Sequence, residues 1–288
     1  MKNPDKVFTD LHRLLETQNF KSEKELKEFM DSLMGKPIPS FPKEVLSDRE
    51  RAQDLVFEAY ELPLHHAKKR IDEALRLDPD CIEAYEFLAE TQHSPATRMP
   101  FYKTGIDVGR RIFGGEYLDK HKGMFWGMHE TRPFMRCMQH YAGCLYATGE
   151  KQECVALMEE LIELNPNDNQ GARDQLLLYL IELNEFEKFK RYDKQFDGDV
   201  GAFPLFNRAL FAFETEGETA ASNKLLKRAI KHNVHVPAKL ESAKPIKDFP
   251  DTYGFGDENE ALYYAAFARH IWLHTVGAIG WLKERAKK

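Results

Sequence analysis

The chain has 288 residues, with 41 Lys and Arg against 47 Asp and Glu, and 42% apolar and 12% aromatic side chains. That length allows one large or two ordinary domains, and that composition buries a core, which excludes a disordered chain. A net charge of −6 without any Lys/Arg block argues against nucleic-acid and anionic-membrane partners, because phosphate recognition needs clustered cations.

The N-terminal MKNPDKVFTDLHRLL is charged from its start and carries neither an apolar run nor a small-residue cleavage site, so no secretory signal is read there and a cytoplasmic protein is expected. Ser22 with Glu25 has the spacing of a capping box for a helix over SEKELKEFMDSLM, which Gly35 and Pro37 stop. KPIPSFP follows as an extended connector, so residues 1–47 form a helical extension with a Pro-rich link. RAQDLVFEAY and LHHAKKRIDEALRLDPD then read as a helical pair. A similar pair opens at Ile82 and loses its pattern in residues 101–134, an insertion where Gly114 and Gly115 end a helix. Thr131 is the expected cap of the next helix, with Pro133 in its first turn. Residues 135–168, 169–202 and 203–236 give three more pairs; in the middle one the second helix, EFEKFKRYDKQF, must be slipped or shortened. Glu241 to Gly256, with Pro245, Pro250 and two glycines, is loop. Asp257 with Glu260 suggests a capping box opening DENEALYYAAFARHIWLH, and VGAIGWLKERAKK forms a short last helix. The uncharged stretch Ile271 to Leu282 is too short for a bilayer span, which needs about 20 residues. No segment has strand patterning, so the fold class is all-α.

Met135 to Asp168 places Met138, Tyr141, Ala142, Leu145, Gly149, Cys154, Met158 and Pro166 in the order and spacing of a tetratricopeptide repeat, which it resembles; Leu161 stands where that family has a small residue. The unit from Phe203 repeats the register through Phe206, Ala209, Leu210, Phe213, Gly217, Ser222, Leu226 and Ala229, with Val234 in place of the proline. The unit from Asn169 fits at Ala172, Leu176 and Tyr179 but puts Lys188 and Gln195 at small-residue positions. Ala67, Ile71, Ala74 and Pro79 set an earlier unit, whose first helix fits one residue later through Ala52, Leu55, Val56 and Ala59. Tyr85, Leu88 and Ala89 begin another. The resemblance implies a TPR-like α-solenoid of about five hairpins (48–81, 82–134 with the insertion, 135–168, 169–202, 203–236), capped by residues 1–47 and 237–288. The chain is similar to bacterial tetratricopeptide proteins and, through the NPND boundary and the ETRP-containing insertion, more distantly to the tetratricopeptide part of the suppressor-of-tumorigenicity family.

The resemblance implies a protein-interaction scaffold that holds a peptide or helix in its concave groove. Carried onto this chain, the groove positions are Arg136, Gln139, Gly143, Tyr146 and Ala147, then Gln170, Arg173, Leu177, Leu180 and Ile181, then Pro204, Asn207, Phe211, Glu214 and Thr215. The partner-binding set taken from them is Arg136, Gln139, Tyr146, Arg173, Leu177, Leu180, Asn207 and Phe211, with Arg136, Arg173 and Asn207 as anchors. This is not the Lys/Asn clamp that grips acidic chaperone tails. QLLLYLI is apolar all round its helix, so its groove side needs a cover. Either a partner's amphipathic helix supplies it or the chain's own Tyr263, Tyr264, Phe267 and Trp272 do.

Other candidates weigh toward structure. Cys137, His140 and Cys144 share a helix face, yet the cysteines sit at small-residue positions, Cys154 likewise, and are read as small buried hydrophobes. His270 and His274 have a chelating spacing but no HExxH motif, and His65–His66 point apart. The insertion is either a lid carrying His121, His129, Glu130 and Arg132 or an elongated hairpin with packed aromatics and a local Glu130–Arg132 pair. With no nucleophile elbow, P-loop or dinucleotide fingerprint, no catalytic residue, metal or cofactor is expected, and an enzyme or metal sensor centred on the insertion is the alternative. Residues 1–47 hold no helix-turn-helix, which disfavours a DNA-binding sensor.

Overall fold

The computed structural model describes residues 4–39, 41–244, 246 and 249–287. Ser40 and Pro245, in the expected connector and loop, lie outside them. Among the described residues there are sixteen α-helices and no strand. The chain divides into two compact units, Met1–Asn167 and Asp168–Lys288.

In the first unit α1 (Pro4–Glu16) and α2 (Glu23–Leu33) precede α3 (Asp48–Tyr60), α4 (Leu64–Leu77), α5 (Ile82–Glu90), α6 (Pro95–Ile112), α7 (Glu116–His121), α8 (Arg132–Thr148) and α9 (Lys151–Leu164). Helices pair in chain order, α3 with α4, α5 with α6, and α8 with α9, while α5 lies beside both α3 and α8. Local chemistry sets several boundaries. Ser47 and Glu50 cap α3 reciprocally, and Gly149 ends α8 at φ 97°, where a side chain would be strained. Ser22 accepts the Glu25 N–H as expected, but the Glu25 carboxylate reaches the Lys21 N–H, so that box is only half formed. Small residues bring paired helices close: Ala52, Ala59, Ala67 and Ala74 are buried beside Leu55 and Ile71. Glycines do the same on α6, where a Cβ at Gly109 would lie 2.1 Å from the Phe134 ring. All four cysteines are buried, and burial pushes the Cys137 and Cys154 thiols up, so they serve as small apolar packing.

The insertion is ordered core on one side. Phe125 is fully buried between Phe113 and Phe134, with ring centroids 6.3 Å from each, and Tyr117 joins them. Thr131 precedes α8 but does not cap it. Its hydroxyl donates to the Phe125 and Met128 carbonyls and closes the preceding turn instead.

In the second unit follow α10 (Ala172–Glu182), α11 (Phe186–Gln195), α12 (Ala202–Glu216), α13 (Ala220–His232), α14 (Val236–Glu241), α15 (Glu258–His274) and α16 (Ala278–Ala286). α10 pairs with α11 and α12 with α13, and α15 packs on both α10 and α12. The expected irregular helix is shortened: α11 has 10 residues where α9 has 14, with Phe189 and Tyr192 inward. Asp257 accepts the Glu260 N–H at 2.7 Å, but the Glu260 carboxylate turns away from that box. Buried, it accepts from the N–H groups of Ala202 and Gly256 and from Asn233 Nδ2 at 2.7–2.9 Å, which caps the α12 start that Gly201 leaves bare. Trp272 is fully buried; its Nε1 donates to the Tyr264 hydroxyl at 2.8 Å and its ring stacks with Trp281 at 6.3 Å. Gly277, at φ 86°, separates α15 from α16, and among the described residues no helix is long and apolar enough to cross a membrane.

Candidate functional site

The expected groove residues fall into two environments. On α10 and α12, Leu177, Leu180 and Asn207 are 3%, 0% and 0% exposed, and Phe211 stacks on Phe189 at 4.1 Å. Arg173 donates to Asp199 at 2.6 Å and to the Asp168 carbonyl and carboxylate, and lies 4.9 Å over the Phe196 ring. Asp168 in turn accepts the Ala172 and Arg173 N–H groups at the start of α10. Leu177, Leu180 and Asn207 are thus interior groups of the second unit, while Arg173 and Phe211 are half-buried. The cover is the chain's own: α15 lies on α10 and α12, with Tyr264 against Phe203 and Phe206, and His270 3.8 Å from Glu182. A helix apolar on every side cannot face water, and a tethered segment covers it without the entropy loss of association. His274 does not converge with His270; its Nδ1 lies 2.6 Å from the His270 carbonyl.

The first unit keeps a polar row on α3, α5 and α8. Arg136 grips the buried Glu86 with two hydrogen bonds of 2.7 and 2.8 Å. Gln53 donates to Glu83, and the Tyr60 hydroxyl donates to Glu90 at 3.1 Å. Burial raises the Glu83 and Glu90 carboxyls above their ordinary value. Gln139 and Tyr146, also on α8, are half-buried, with the Lys151 ammonium 5.4 Å from the Tyr146 ring. Glu83, Glu86 and Glu90 escaped the sequence reading, although the groove spacing applied to the unit from Ile82 marks all three. The neighbours of His140 that could share an ion with it are Glu86 and Glu90, with ligand atoms within 4.8 Å of one another, and not the buried thiols. Arg136 holds both Glu86 oxygens there, so a metal ion would compete with a guanidinium.

Where this row meets α1 and the insertion there is a cavity of about 420 Å³. Ile82, Ile112 and Phe113 give it an apolar floor. From α1, Thr9 Oγ1 lies 2.6 Å from His129 Nε2, and the buried Arg13 donates to Asp54 at 2.9 Å and to the Glu50 carbonyl at 3.2 Å. Glu130 accepts from the Tyr117 hydroxyl at 3.2 Å. Arg132, the expected partner of Glu130, instead donates to the Trp126 carbonyl at 3.0 Å and lies 5.6 Å from that indole.

These observations define an all-helical protein built of sequentially paired helices in two units. The chain is similar to suppressor of tumorigenicity 7 protein-like of Homo sapiens, with 25% identity over 240 residues that cover 73% of this chain and 41% of that protein. The Bos taurus protein of that name is 25% identical over 236 residues and the Rattus norvegicus one over 240. The chain thus spans well under two thirds of these curated relatives, 41–42% of their length. No family model and no solved structure matches it.

Proposed function

We propose that the chain is a tetratricopeptide-type repeat protein, an α-solenoid of about five hairpins, that holds a peptide or helix of a protein partner. The observation that carries this reading is the α3–α5–α8 row: first helices of three successive pairs side by side, with polar side chains along it. Arg136, Gln139 and Tyr146 on α8 are then the partner contacts, joined by Glu90 on α5, and Arg173, Leu177, Leu180, Asn207 and Phe211 hold the second unit together. The reading involves no catalytic step and no cofactor, and it goes with a cytoplasmic setting and with neither nucleic acid nor membrane as partner.

A photo-crosslinking residue placed at Gln139 tests it against one placed at Lys68, which is exposed on α4. Adducts with a defined peptide segment from Gln139 and none from Lys68 are expected. Adducts of equal yield from both positions would remove the row as the binding face.

A further inference from the structure

The cavity of the first unit has a chemistry that a partner on the helix row does not require. Six carboxylates line it against Arg13, Arg49 and the imidazoles of His12 and His129. Arg111 occupies Asp80 through two hydrogen bonds, and Arg13 lies 3.2 Å from the Glu50 carboxylate. Glu83 and Glu130 accept from the uncharged Gln53 and Tyr117. Beneath them lies the apolar floor of Ile82, Ile112 and Phe113.

We propose that this cavity is a binding site for an organic cation, a guanidinium or primary ammonium group carried on an aliphatic stem. The stem lies on the floor and the charged head reaches Glu83 and Glu130, as long basic side chains divide themselves between apolar and polar surroundings. The volume falls within the roughly 300–1,000 Å³ usual for small-ligand pockets. An anion would face the surplus of carboxylates, and a neutral apolar ligand would strip their water without replacing it. A bare metal ion is the poorer fit: among the described residues, ligand atoms close enough to share one lie at Glu86, Glu90 and His140, away from this floor. The cation comes either from a free amine or from a Lys or Arg of a peptide. The site does not depend on the repeat reading, since no partner need lie along the row.

Calorimetric titration of the full chain with agmatine, and with acetyl-Gly-Gly-Arg-Gly-Gly-amide, tests the site. Each has a neutral urea counterpart, N-carbamoylputrescine and the citrulline peptide. At least one cation binds with Kd below about 1 mM, and its neutral counterpart at least about 10-fold more weakly. The tighter of the two identifies the source. Glu83→Gln with Glu130→Gln weakens binding by about 10-fold or more. Ile112→Lys, which tethers a cation inside the cavity, blocks it should the double variant fold poorly. Equal affinity for charged and neutral probes, undiminished binding by both variants, or no cation binding up to about 10 mM, would each overturn the proposal.

Discussion

The two units treat the faces of their paired helices in opposite ways. In the second, the α10–α12 face is apolar and lies under α15, with Leu180 and Asn207 fully buried. In the first, the α3–α5–α8 row is polar: its charges are met by side chains of the row itself, as in Glu86–Arg136 and Tyr60–Glu90. An apolar face has to be covered when the chain folds, whereas a hydrogen-bonded polar face can stay open and exchange partners later. The contrast separates an apolar face covered by the chain's own α15 from a polar row whose charges are met within it.

Trp272→Ala should break the comparison most strongly. Removing a fully buried indole costs about 3–5 kcal/mol, and the second unit should then bind a hydrophobic dye. Urea denaturation measures the loss; less than about 1 kcal/mol would mean that α15 is a marginal cover. Arg136→Ala comes next at about 3 kcal/mol, because it strands the buried Glu86 charge. Combining it with Glu86→Leu should recover most of that. If the double variant is no better than the single one, the pair is not what the row is built on. The smallest effect sharpens the second unit. Burial pushes the Asp174 carboxyl from 3.8 up to about 7, so between these values the folded chain binds more protons than the unfolded one and stability falls as pH rises. Asp174→Asn should therefore gain of order 1 kcal/mol near pH 8 and nothing near pH 4. Parallel stability curves for variant and parent would sink this assignment.

Helix pairing was legible because it is written in local spacing: alanines at the contacts of α3 with α4, a glycine closing α8, a short α11. The occupant of the α10–α12 face was not legible, since α15 lies far downstream and either cover satisfies the same apolar run. Local motifs also misled where tertiary contacts outcompeted them. Glu260 has the spacing of a box residue yet serves another helix, and the Thr131 hydroxyl prefers two nearby carbonyls. The cavity left no trace in the pattern because its walls are drawn from residues 9 to 130, each unremarkable in its own segment. The carboxylates of α5 are different, since Glu83, Glu86 and Glu90 fall at the groove spacing of the unit from Ile82 and are legible in the sequence.

The tryptophans divide along the same line. Trp126 belongs to the first unit, beside a guanidinium, while Trp272 and Trp281 stack at 15° in the second. Two near-parallel indoles 6.3 Å apart form a coupled chromophore, whereas the third absorbs alone. Circular dichroism in the indole band should therefore report, without any label, on α15 and α16 coming together.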